Sequence, residues 1–351
     1  MKSIFAESLF FFSFLFIINS CGNNPKSSSR MAIVEGQINP VFTKGKYIYF
    51  YQFTDSLSLF FYEKKATDSC ILNPDGSFKI EIANWPKSGF FDLGTRELVF
   101  ARNYFLEPGD HLKLIFDGNE MPLKLNTYKG IGKYNNFLQV FNDTFYRSPV
   151  VKRNYFVISN YMLAPDYAVY IGKRKKEQFD FYKNYFRNQE IDSTFQTYFE
   201  KETEYNWAND KTYFLWKKRT RHEEVPLDTS YFDFLQVIST DDPKALICPG
   251  YTRFIELYIN ELYQLEIQKK IFKLSLALQP SLEKSFLAKK HLQGTGLKIA
   301  FYQILRDEIY SVDAHLTKNR KMHFAFIDSL TNIAYEATKD SAILQYVNSQ
   351  K

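Results

Sequence analysis

The residues able to carry chemistry in this 351-residue chain are few and scattered. Three cysteines stand at Cys21, Cys70 and Cys248, and no Cys-x-x-Cys occurs. Disulfide exchange needs an activated thiolate beside a resolving thiol, and two lone cysteines remote in sequence do not supply that pair. Cys70 and Cys248 are expected as small buried hydrophobes; whether they pair stays open, because sequence separation says nothing about proximity. His222-Glu223 begins like a helical zinc-protease motif, but Pro226 occupies the place of the second histidine. His315 and His323 would share a helix face only if one unbroken helix ran through both, and they are read as surface histidines. Gly130-Ile131-Gly132-Lys133 hints at a phosphate loop. Asn135 replaces the third glycine and no Ser or Thr follows Lys133, so neither nucleotide fingerprint is met. There is no Gly-x-Ser-x-Gly elbow. Asp241-Asp242 and Glu223-Glu224 are sequence neighbours in loops and are read as solvated charge. Lys173-Arg174-Lys175-Lys176 is read as a solvated helix face pairing locally with Glu177 and Asp180, with docking on anionic headgroups as the other reading. No catalytic, metal or cofactor-binding residue is expected, and no cofactor.

The one strong chemical signal is Cys21 itself. Lys2 gives a basic start, Ile4 to Ile18 is an apolar run broken by Glu7, and Ile18-Asn19-Ser20-Cys21 closes it. The run is ~15 residues, short of the roughly 20 that a membrane-spanning helix needs. A charged start, a short apolar core and a small residue before the cut mark a secretory signal. The Ser20-Cys21 junction resembles the lipobox of bacterial lipoproteins, whose cysteine is acylated and becomes the mature N-terminus. Several acyl chains on one residue anchor stably. Gly22 to Ser29 follows as a polar tether without acidic residues. An acidic run there directs some such proteins to the cell surface, so the periplasmic face of the outer membrane is the expected location.

Composition bounds the remainder. Hydrophobic content of 45 % with 24 % charged residues is that of a globular protein. The net charge of +6 is modest for this length and leaves no nucleic-acid footprint. Phe (35) and Tyr (25) are abundant; biased codon usage explains this more simply than an aromatic-binding role. The expected partners are the membrane, through lipid on Cys21, and a periplasmic protein whose existence stays open, with nucleic acid excluded.

From Ala32 to Asp117 the pattern is that of strands. Lys46 to Tyr51 and Leu57 to Tyr62 are β-branched and aromatic, and Ser77 to Ile82 alternates behind the turn residues Asn73-Pro74-Asp75-Gly76. Leu98 to Leu106 and Leu112 to Phe116 flank a Glu107-Pro108-Gly109-Asp110 turn. Six to eight short strands at this spacing predict an antiparallel β-sandwich or small barrel. After Gly118 the period changes. Tyr134, Phe137, Leu138, Phe141 and Phe145 fall on one helical face. Further helices are expected over Asp166–Arg187, from a Ser193/Gln196 capping box onward, and over Tyr251–Lys270. Two more are expected near Leu297–Val312 and Lys318–Lys339. The predicted fold class is α+β: leader 1–20, tether 21–31, β-sandwich 32–120, all-helical domain 121–351.

The order Val34-Glu35-Gly36, the Tyr-Ile-Tyr-Phe strand, Asp75-Gly76-Ser77-Phe78 and Leu106 to Asp110 resembles a known arrangement. It is similar to the N-terminal β-domain of lipoprotein-anchored, thioredoxin-like thiol-disulfide reductases. Gly130 to Leu138, Tyr231 to Leu235, Ala245-Leu246, Tyr251 to Ile255 and Leu292-Gln293-Gly294 look like the helical segment that follows in that family. The family's Cys-x-x-Cys is absent and the sequence ends where its thioredoxin domain would begin, so no catalytic residue carries over. Two functional classes follow. The favoured one is a non-enzymatic binding or scaffolding lipoprotein of the cell envelope. The alternative is the anchor and substrate-handling part of a split thiol-disulfide oxidoreductase whose thioredoxin-like domain is a separate chain. A glycan-handling enzyme would need a cleft with paired carboxylates.

Overall fold

The computed structural model describes residues 31–39, 47–53, 66–83, 85, 87–95, 99–117, 124–127, 132–148, 151, 157–158, 160–221, 231, 234–268, 280–314 and 320–349. The leader with Cys21, the expected strand at Leu57–Tyr62, the His222–Pro226 segment and His315 lie outside the described residues. The fold is α+β, with strands followed by helices.

Among the described residues eight strands form two four-stranded sheets: β1 (Ala32–Ile38), β2 (Tyr47–Phe53), β3 (Asp68–Ile71), β4 (Ser77–Ile82), β5 (Gly89–Gly94), β6 (Val99–Leu106), β7 (His111–Asp117) and β8 (Lys124–Thr127). Their orders are β4-β1-β7-β8 and β3-β2-β5-β6. The period-two pattern turns Ala32, Val34, Ile80, Leu112 and Leu114 of the first sheet inward against Ile48, Phe50, Phe91 and Leu93 of the second. The pairing is antiparallel except between β1 and β7, which run parallel. This departs from the wholly antiparallel expectation. The Glu107–Asp110 turn carries the chain from β6 in one sheet to β7 in the other, and β7 meets the open flank of β1 running the same way. That turn is closed by the Asp110 N–H on the Glu107 carbonyl at 3.1 Å, and the Asp110 carboxylate accepts the Glu107 N–H at 2.8 Å. Gly36 sits on the inward side of β1, where the Phe78 ring and the Leu114 carbonyl occupy the space a Cβ would need.

The helices are α1 (Gly132–Asn142), extended by a π-helical turn over Asp143–Arg147, α2 (Ala164–Tyr185), α3 (Ser193–Thr220), α4 (Phe234–Val237), α5 (Pro249–Gln268), α6 (Pro280–His291), α7 (Gly294–Ala314), α8 (Arg320–Thr338) and α9 (Ser341–Ser349). Because β8 pairs with β7, the β region runs past the expected boundary at residue 120 and the first helix opens at Gly132. The capping expectation shifts by one residue. Asp192, not Ser193, caps α3 by accepting the Thr194 and Phe195 N–H groups, while Gln196 bonds Glu200 instead.

Strand β5 is buried on both faces. Phe91 and Leu93 point into the sandwich, while Phe90 points outward onto the helices. Phe90 meets Tyr198 with ring centres 4.1 Å apart, and Phe105 of β6 meets Tyr134 and Phe195 at 4.9 and 5.2 Å. Tyr182, Phe137, Phe186 and Phe199 continue the cluster. These aromatics are core material, each close pair contributing about 0.5–1.5 kcal/mol beyond burial. Helices α6 to α9 enclose a further core around Phe301, Leu305, Ile327 and Leu330.

Strand β6 is an edge of its sheet, and the Phe105 backbone is turned away from β5. Asn135 of α1 fills the role of a missing neighbour: its Oδ1 accepts the Phe105 N–H at 2.7 Å and its Nδ2 donates to the Phe105 carbonyl at 2.7 Å. Asn135→Leu leaves both backbone groups buried without partners. It is expected to cost about 2–4 kcal/mol, read as a lower midpoint in urea unfolding at unchanged slope. Gly36→Ala is expected to cost about 1–3 kcal/mol through overpacking in the same measurement.

Candidate functional site

The polar, solvent-facing side of β4-β1-β7 carries a shallow groove. Since Ala32, Val34 and Ile38 point inward, Ile33, Glu35 and Gln37 of β1 point outward. The register sets Glu81 and His111 on either side of Ile33, Lys79 and Lys113 beside Glu35, and Ser77 and Ile115 beside Gln37. The result is a three-by-three face with one shallow groove of about 340 Å³, lined by Glu35, Gln37, Asn73, Ser77, Lys79, Lys113 and Ile115 over the Gly36 backbone.

Charge on this face is matched locally. Glu35 lies 3.1 Å from His111 Nε2 and 3.5 Å from Lys113 Nζ. The hydrogen bond from His111, aided by the charges of His111 and Lys113, holds the Glu35 carboxyl below its ordinary range. Lys79 pairs with Glu81. At the far end, Gln37 Nε2 donates to the Asp75 carbonyl at 3.3 Å, Asn73 Nδ2 to Ser77 Oγ at 2.8 Å, and Ser77 Oγ to the Asp75 carboxylate at 2.7 Å. The outer residues of β1, β4 and β7 are held by the ladder, and the turn residues Asn73 and Asp75 close its far end.

The residues singled out from the sequence are spent elsewhere. Cys70 packs against the sandwich core and Cys248 lies in the helical core. Both are free thiols. Burial pushes the Cys70 thiol up to about 11 and raises Cys248 further, its Sγ facing the Tyr198 carbonyl at 3.6 Å. Neither has the lowered pKa of an exchanging cysteine. Asp241 and Asp242 are not solvated charge. Asp242 is buried, pairs with Lys201 at 2.8 Å and caps the 3₁₀ turn Pro243–Ile247; Asp241 accepts the Thr295 N–H at 2.8 Å at the start of α7. The basic run divides between two environments. Arg174 donates to the Phe145 carbonyl at 2.7 Å and pairs with Asp210 at 3.3 Å, and Lys175 lies 4.2 Å over the Trp207 ring. Within the run only Lys173 and Lys176 are exposed, with Lys173 3.8 Å from Glu177. Lys133 of the glycine-lysine stretch donates to the Glu190 carbonyl at 2.8 Å.

Two further clusters look catalytic and are structural. His323 of α8 meets Glu308 Oε2 at 3.2 Å and Ser311 Oγ at 3.3 Å, both through Nε2. A serine–histidine–carboxylate relay needs the two partners on opposite ring nitrogens, so this is a clasp joining α7 to α8, extended to α6 by Ser281 on Glu308. Glu202 of α3 is pushed above its ordinary range by burial. It accepts the Gly250 N–H at 2.8 Å and Asn206 Nδ2 at 2.9 Å, capping the N-terminus of α5. No group of His, Cys, Asp and Glu suited to a metal ion occurs among the described residues, and no described helix is long and apolar enough to cross a membrane.

The outer-face array was not anticipated from sequence. The alternation of Ser77, Lys79 and Glu81 signals an outward polar edge, but which strands flank it is a long-range fact. Comparison with protein-family models, with curated proteins and with solved structures finds no match to this chain.

Site-resolved alkylation with iodoacetamide checks the thiol assignment. The Cys70 rate is expected to keep climbing about tenfold per pH unit past the ordinary thiol value of 9.0 and to level near 11, while Cys248 reacts only once the chain unfolds. Rapid labelling of Cys248 at neutral pH would contradict the assignment.

Proposed function

We propose that this chain is a cell-envelope lipoprotein, anchored in the outer membrane through lipid on Cys21, whose body is a non-enzymatic binding or scaffolding unit facing the periplasm. The observation that carries the anchoring is the leader: Lys2, the Ile4–Ile18 run and Ser20-Cys21, followed by a polar tether. The tether from Gly22 to Met31 spans at most about 35 Å when extended. It enters the body at Ala32, where β1 begins, whereas Gln37, Ser77 and Ile115 stand at the other end of their strands. The groove on the β4-β1-β7 face therefore opens toward the end of the sandwich away from the anchor, and we take it as the binding face.

The split-oxidoreductase alternative has less support. It would use this chain to present a substrate to a separate thioredoxin-like protein, and the two thiols here are raised in pKa and sit in separate cores. On our reading the likeness to reductase β-domains is one of ancestry.

Metabolic labelling with an alkyne palmitate analogue, followed by fractionation, tests the anchoring. Wild-type protein is expected in the outer-membrane fraction and labelled, and uncut when protease is added to intact cells. Cys21→Ala is expected unlabelled. Unlabelled wild-type protein, or label persisting in Cys21→Ala, would sink the proposal.

A further inference from the structure

We propose that the groove on the β4-β1-β7 face takes an uncharged, polyhydroxylated ligand, a saccharide. This rests on reading that groove as the binding face.

Three ligand classes can be weighed against the lining. An extended peptide added as a strand needs free backbone N–H and C=O groups at a sheet edge. The groove's central strand, β1, is paired on both sides with β4 and β7, and on the edge strand β4 the Ser77 N–H and carbonyl are already taken by Asp75 and Asn73. An ionic ligand is drawn by an excess of one charge. Here Lys79 pairs with Glu81 and Lys113 with Glu35, and the Asp75 carboxylate beside them is taken up by hydrogen bonds from Ser77, so the groove carries no positive excess to draw an anion and its carboxylates are already engaged. A saccharide asks for the opposite provision, because each hydroxyl is both donor and acceptor. Lysine ammoniums donate, Glu35 accepts, and the amides of Gln37 and Asn73 do both. Hydrogen bonds with one ionised partner are roughly twice as strong as neutral ones, so paired charges favour a neutral hydroxyl ligand without demanding a counter-charge. Ile115, half-buried at the distal row, gives the apolar C–H face of a ring something to rest on. A volume of about 340 Å³ lies at the lower end of small-molecule sites.

The intact chain, purified in detergent, is titrated calorimetrically with maltotriose, cellotriose and chitotriose. Saturable heat is expected for at least one of them. Gln37→Ala is expected to weaken it roughly fivefold, as loss of one hydrogen bond implies, with unfolding midpoint unchanged. Affinity is expected to vary less than about twofold between ~0.05 and ~0.5 M salt, since no ion pair forms. Absence of saturable heat at millimolar trisaccharide overturns the proposal, as does binding indifferent to Gln37→Ala or falling steeply with salt. Triglutamate and trilysine are titrated in parallel. If either binds and is weakened by Gln37→Ala, the saccharide is excluded while the groove remains the binding face; if no probe binds, the groove loses that role too.

Discussion

The structure depends on how the exposed edge of β6 is closed. A strand at the end of a sheet presents unpaired backbone groups that must be solvated, covered or paired. Here the cover is a helix, and the pairing is made by one side chain. The Asn135 amide has the donor–acceptor pattern of a peptide group, so it satisfies both the N–H and the C=O of Phe105 as a further strand would. Because Asn135 and its partners are buried, the interaction tolerates no sliding. It sets the height at which α1 lies on the sheet, and Tyr134, its sequence neighbour, then falls against Phe105 and Phe195. The aromatic seam supplies most of the adhesion; the amide supplies the register.

Beyond that seam, α3 organises the helical part by receiving loops. Its polar residues at Lys201, Glu202, Tyr205, Asn206 and Asn209 all face connections rather than solvent. Tyr205 donates to the Ser239 carbonyl at 2.9 Å, Asn209 donates to the Gly250 carbonyl at 2.9 Å, and Tyr251 closes the same corner by donating to the Thr240 carbonyl at 2.8 Å. Gly250 is required where Glu202 sits, since a Cβ there would lie 2.9 Å from the carboxylate oxygen. Buried carboxylates with raised pKa often mark functional sites, but Glu202 is a fastener of a helix junction, holding the start of α5 to α3. Asp242 is likewise committed to structure, pairing with Lys201 and capping the 3₁₀ turn.

How much of this was legible follows from the range of each interaction. Ser77–Ile82 could be read because one of its faces is wet and the other dry, and the turn residues before it are local signals. Gly89–Gly94 could not, because a strand covered on both faces loses the alternation that identifies it, and the cause of that covering lies in helices a hundred residues away. The cap of α3 was missed by a single position, since Asp192 and Ser193 are both good capping residues and only the backbone geometry decides between them. The Lys173–Lys176 run reads in sequence as one solvated face, yet four consecutive helical residues span all sides of a helix. Arg174 and Lys175 accordingly lie against Tyr146 and Trp207. The three-strand array around Glu35 was beyond local reading altogether, because it joins residues from β1, β4 and β7 through register.

The two sheets divide the work of the sandwich unequally. Each has an inner face that builds the common core and an outer face whose fate depends on composition. The outer face of β5 carries Phe90, and helices cover it because an aromatic strip of that size left in water would cost several kcal/mol. The outer faces of β4 and β7 carry Ser, Lys, Glu and His at alternate positions. Burying these without full pairing would cost more than it returned, so the helices have no reason to approach them. One face is thus sealed by its own chemistry and the other is kept open by its own. At the centre of the open face β1 is hydrogen-bonded on both sides, and Gly36 lets it lie close against the Phe78 ring. A polar array on strands that are hydrogen-bonded on both sides loses little entropy when a ligand engages it, which is why the proposed binding face is placed on this sheet rather than on the helical surface.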